Sequence, residues 1–87
     1  MTMTNKELIK AAAESIGLKF GGAFNPLVDN SDAFMLMVKL GLTVGVIGDD
    51  TVTAKAGDVV LFEPLGTDRI AATRRVIVRA AAELRGL

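Results

Sequence analysis

The sequence predicts an α+β fold: a three-layer α/β/α sandwich built from three helices and a small, mainly antiparallel three-stranded sheet. Capped, amphipathic segments stand at the start, before the middle and at the end of the chain. Between the last two lie three β-rich runs whose separating turns are short enough only for hairpins. With 87 residues, 51% of them hydrophobic, the chain makes one domain around one core, spanning residues 1–87.

Thr4-Asn5-Lys6-Glu7 has the form of a capping box, in which the threonine hydroxyl and the glutamate carboxylate each satisfy a backbone donor that helix geometry orphans. Behind it, Leu8, Ile9, Ala12, Ala13 and Ile16 fall within a sector of about 140°, with Lys6, Glu7, Lys10 and Glu14 opposite. Gly17 ends this first helix as a left-handed cap. Leu18-Lys19-Phe20 alternates like a short strand, but Gly21-Gly22 and Pro26 make residues 18–30 mostly loop.

Asp29, Asn30, Ser31 and Asp32 are helix-capping side chains, so a second helix runs from about Ser31 to Leu40 and stops at Gly41. Phe34, Met35, Leu36, Met37, Val38 and Leu40 surround most of its cylinder. A helix apolar on nearly every side is expected to be buried on nearly every side.

Leu42 to Ile47, Thr51 to Lys55 and Val59 to Phe62 then read as a meander, turning at Gly48-Asp49-Asp50 and Ala56-Gly57-Asp58. Val59-Val60-Leu61-Phe62 is apolar on both faces and is expected to be covered on both. One tension stands within this picture: a meander puts the most polar run, Thr51 to Lys55, in the middle. An extra strand near Phe20 or another strand order would relieve it. Thr67 or Asp68 caps the last helix, which reaches about Arg85 with Ile70, Val76, Ile77, Ala80 and Leu84 on one stripe.

The chemistry available is sparse. There is no His, Cys or Tyr, which removes the commonest general base, every thiolate and the imidazole metal ligands. Gly48-Asp49-Asp50 resembles a magnesium-holding string, yet it sits where a hairpin needs Gly and Asp. Asp29 to Asp32 lacks the spaced ligands of a calcium loop. No glycine cluster has phosphate-cradling spacing. No catalytic residue, metal or cofactor is expected.

Charge is balanced overall, ten basic against ten acidic side chains, so no general field attracts nucleic acid or an anionic membrane. Its distribution is uneven: five arginines against Glu83 in residues 69–87 give +4, whereas residues 26–68 give −5, with Lys39 and Lys55 against seven carboxylates. Arg74, Arg75, Arg79 and Arg85 share the side of the last helix away from its apolar stripe, a candidate partner-binding face for phosphates. Ala71, Val78 and Ala82 lie among them, no aromatic residue interleaves, and Glu83 follows Arg79 by one turn, all of which favours a solvated or internally paired face. Met35, Leu36 and Met37 are the candidate self-association residues, because the mean hydropathy of +0.44 leaves little polar surface.

The longest apolar stretch, Ala33 to Gly48, is interrupted by Lys39, Gly41 and Gly45 and is shorter than the roughly 20 residues a membrane span requires. The N-terminal residues lack an apolar leader core, so no secretory signal is expected and the cytoplasm is the expected compartment.

Three strings carry a resemblance: Phe24-Asn25-Pro26-Leu27 with Asp29 to Asp32, then Val38-Lys39-Leu40-Gly41-Leu42, then Ala72-Thr73-Arg74-Arg75-Val76-Ile77-Val78-Arg79-Ala80-Ala81-Ala82-Glu83. Together they resemble the small phage and prophage proteins of the phage α/β/α (ABA) sandwich domain family. The resemblance implies the same three-layer fold, life in the cytoplasm of an infected host cell, and no established activity. Two departures from that pattern stand out: Phe24 occupies a position that often holds tryptophan, and the surroundings of Met35 and Met37 are greasier.

The resulting expectation is a non-enzymatic accessory protein of a phage or prophage that binds another macromolecule, a protein foremost, with a homodimer among the readings. The alternative is a nucleic-acid-associated protein using the arginine face. Replacing both turn carboxylates, Asp49→Asn with Asp50→Asn, should leave the circular dichroism spectrum unchanged. Titration calorimetry with magnesium should find no binding for the double substitution to abolish; an isotherm lost with the fold intact would contradict the turn assignment.

Overall fold

The computed structural model describes residues 3–19 and 22–85. Helix α1 spans Asn5–Ser15, α2 Asn30–Leu40 and α3 Arg69–Arg85; strands are β1 Thr43–Ile47, β2 Thr51–Ala56 and β3 Val59–Pro64. The sheet is an antiparallel meander in the order β1-β2-β3. The α+β class, three helices with a three-stranded antiparallel sheet, is therefore the one the sequence predicts, but among the described residues the sheet lies at one side of the stack, its outer face bare, and not between helical layers. The strand suggested near Phe20 falls partly on residues 20 and 21, outside the described segments.

Local chemistry sets the element ends. The Thr4 hydroxyl accepts the Glu7 N–H at 3.1 Å while the Glu7 carboxylate accepts the Thr4 N–H at 2.7 Å, closing the capping box of α1. The Thr4 backbone N–H, and after it the Thr4 side chain, hold the Glu7 carboxyl below its ordinary pKa. Because the folded value is the lower one, this cap contributes stability above the unfolded pKa and loses it as pH falls through the folded value. Asp29 caps α2 by accepting the Asp32 N–H at 3.0 Å, and Asp68 caps α3 by accepting the Ala71 N–H at 3.0 Å. Gly41, at φ 65°, ends α2 in the left-handed conformation that lets the chain turn directly into β1.

Packing centres on α3. It lies across β2 and β3 on one side and receives α1 and α2 on others, so the layers run from the sheet through α3 to α1, with α2 along a flank. Val76, Val78, Ala80 and Ala81 are completely buried, and Ile77 and Ala82 nearly so. The two-sided helix expected from the sequence is thus enclosed around most of its middle, including Val78 and Ala82 from the arginine sector. Alanines on α3 and the buried Ala11, Ala12 and Ala13 of α1 permit close approach of the two helices.

The reverse holds for α2, which was expected to be enclosed. Ala33 and Leu36 face the core, but Phe34 and Val38 remain 61% and 60% exposed, because α2 packs mainly on α3 and nothing covers its far side.

In the sheet, Val52 and Ala54 of β2 are buried under α3, while Lys55 and the half-buried Thr51 and Thr53 take the outer face. The polar middle strand is explained by that open outer face. For the same reason β3 is covered on one face only: Val59 and Leu61 are half-buried, whereas Val60 and Phe62 are exposed, contrary to the two-sided burial expected.

Leu36→Ala should destabilise the fold by about 2–5 kcal/mol, the usual range for emptying a buried leucine site, whereas Phe34→Ala should stay within about 0.5 kcal/mol. Urea denaturation of dilute protein measures both.

Candidate functional site

The arginine face is largely committed within the chain. Arg74 donates from Nε to the Leu27 carbonyl at 2.7 Å and from Nη1 to Asn30 Oδ1 at 2.8 Å. Arg79 Nη1 reaches Glu63 Oε1 at 2.6 Å and the Phe62 carbonyl at 3.0 Å. Arg85 Nη1 meets Glu14 Oε1 at 3.2 Å. These three guanidinium groups leave α3 in different directions, toward the loop before α2, toward β3 and toward α1. Among the described residues Arg75 takes part in no ion pair or side-chain hydrogen bond. Phosphate recognition needs convergent free donors, and here they diverge and are occupied. Arg69 adds a bond to the Asp49 carbonyl at 3.2 Å.

The carboxylate strings behave as structural elements. Asp29 caps α2, Asp32 Oδ2 accepts the Asn25 N–H at 2.8 Å, and Asp50 Oδ1 accepts the Thr51 hydroxyl at 3.0 Å within the exposed hairpin turn. Among the described residues no three His, Cys, Asp or Glu side chains come together as a potential metal site.

The self-association residues separate. Leu36 has no exposed surface and belongs to the core, so it is unavailable to a partner and that assignment is corrected. Met35 and Met37 are half-buried. The prominent apolar side chains of α2 are instead Phe34 and Val38. Sequence reasoning missed them although a signal was present: they stand four residues apart on one ridge, off the stripe that Ala33, Leu36 and Leu40 direct inward.

Phe34 borders an apolar groove of about 260 Å³ between α2 and α3, lined by Ala33, Phe34, Met37, Val44, Ile70 and Ile77. It arises because α3 covers β2 and β3 but stops short of β1. Val44 and Val46 share the core-side face with Ala54 and Val52, which pair with them. Val44 is half-buried at the groove, and Val46 is 53% exposed beyond it. Arg74, held by Leu27 and Asn30, ties the start of α2 to α3 and so fixes the groove's width at that end.

Among the described residues the groove is continuous with an open strand edge. The Asp50 carbonyl accepts the Leu65 N–H at 2.8 Å, extending the β2–β3 ladder in the phase of Val52 and Glu63. In a central antiparallel strand alternate residues bond to opposite neighbours, so Thr43, Gly45 and Ile47 bond to β2. The backbone groups of Val44 and Val46 consequently point off the sheet. This edge contains neither proline nor charge, whereas the opposite edge has Pro64, Glu63 and the Arg79 guanidinium on the Phe62 carbonyl. Those are the usual protections against strand addition, and β1 lacks them.

No protein-family model, curated protein or solved structure matches the chain.

Arg74→Ala should act on stability, costing about 1 kcal/mol, chiefly through the half-buried Leu27 carbonyl, since water re-satisfies the exposed Asn30 amide. Fluorescence anisotropy with single- and double-stranded DNA at low salt should detect no binding by the unaltered protein. A micromolar complex weakened by Arg74→Ala and Arg75→Ala, each reducing the salt slope by about one unit, would contradict this reading of the arginine face.

Proposed function

We propose that the chain is a non-enzymatic protein-binding module, an accessory protein of a phage or prophage acting in the host cytoplasm. The phage setting rests on the three strings quoted above. The binding reading is carried by one observation: an apolar groove runs directly into an unprotected strand edge, on an otherwise well-satisfied molecule. Side-chain pockets beside an exposed edge are what strand addition uses, the backbone supplying affinity and the pockets selecting side chains.

A catalytic reading finds less support. Among the described residues no polar or charged side chain is buried, so no acid or base has the desolvated setting that tunes such groups for proton transfer. A nucleic-acid reading would rely on arginines that are mostly bonded to other elements of the same chain.

A photo-crosslinking amino acid tests the binding surface. Placed at Phe34 it should give a discrete protein adduct, with itself or with another protein of the host lysate, while the same group at Glu83 gives none. Absence of any adduct from Phe34, with the fold intact, would overturn the binding role.

A further inference from the structure

We infer that the occupant of this surface is a second copy of the chain, joined by antiparallel pairing of the two β1 edges about a two-fold axis at Gly45. The inference rests on the binding site proposed above and names its partner.

The register follows from the free backbone groups. Only Val44 and Val46 point their amides and carbonyls off the edge. With the axis at Gly45, Val44 lies opposite the partner's Val46 and Val46 opposite the partner's Val44. Both pairs exchange bonds, giving about four backbone hydrogen bonds and a continuous six-stranded sheet. A one-residue shift would offer the partner backbone groups already bonded to β2.

The same register is complementary in shape. Directly opposed residues share a face of the sheet, so the exposed Val46 side chain of each copy comes beside the partner's Val44, at the partner's groove. Val46 is the one β1 side chain on the core face that its own subunit leaves more than half bare. Each subunit therefore supplies both a projecting side chain and a hollow, as an isologous interface requires.

Charge does not oppose the pairing: β1 is uncharged, so no like charges face one another across the two-fold axis.

Gly45, at the axis, tolerates a side chain within the subunit: it is the only described glycine without positive φ, and a Cβ there would meet nothing within 4 Å.

Sedimentation equilibrium up to about 1 mM should find a dimer. Val46→Lys should raise its dissociation constant by about a hundredfold or more, because the charge enters the partner's apolar groove. Val46→Pro, which removes an outward N–H and no bond to β2, should do the same with an unchanged circular dichroism spectrum. Since the chain has no cysteine, Gly45→Cys introduces a single thiol that should oxidise rapidly to a covalent dimer, whereas Thr53→Cys on the central strand should not. A monomer at all concentrations overturns the self-pairing; if Phe34 then crosslinks to a different protein, the binding site survives with another occupant. A dimer insensitive to Val46→Lys and without the Gly45→Cys crosslink also overturns it.

Discussion

Everything in this molecule leans on α3. A chain of 87 residues has one core to build, and here a single helix serves as the wall for the sheet, for α1 and for α2. That is feasible because the buried middle of α3 combines Val76, Ile77 and Val78 with Ala80, Ala81 and Ala82. The branched side chains fill volume, while the alanines admit neighbouring elements closely without excess bulk. Arg69, Arg74, Arg79 and Arg85 then act as ties from this wall to separate elements.

A helix that serves three neighbours has a limited span, and the functional surface lies where that span ends. α3 covers β2 and β3 but not β1, and α2 is drawn to the flank of α3 with its outer ridge left bare. The groove, Val46 and the open edge of β1 share this one cause. They are adjacent because the left-handed turn at Gly41 feeds α2 straight into β1, the Leu42 N–H donating to the Met37 carbonyl at 2.9 Å. Local capping chemistry therefore brings the apolar ridge of a helix beside an unpaired strand.

Much of the architecture was legible because its determinants are local. The capping box at Thr4, the Asp29 cap, Gly41, and the Gly48 and Gly57 turns each depend on residues within a few positions, so every element and the meander could be read in order. The candidate site was less legible. The apolar character of α2 was visible, yet Leu36 was assigned to the surface and Phe34 and Val38 were not. All are hydrophobic, and only the position of α3 decides which of them turns inward. The arginine face was visible too, but Glu63 and Glu14 are distant in sequence from Arg79 and Arg85, so that pairing could not be read from spacing.

The sequence by itself determined the elements, their ends and the absence of His, Cys and Tyr chemistry, since each follows from residue type and short spacing; it suggested an antiparallel meander but left the strand order open. Only the tertiary structure decided which helix is central. Apolar periodicity measures how much surface a helix can bury, while actual burial depends on how many neighbours reach it. On that ground the greasier α2 became peripheral, the arginine-bearing α3 became the core, and β1 was left with its edge and one face open.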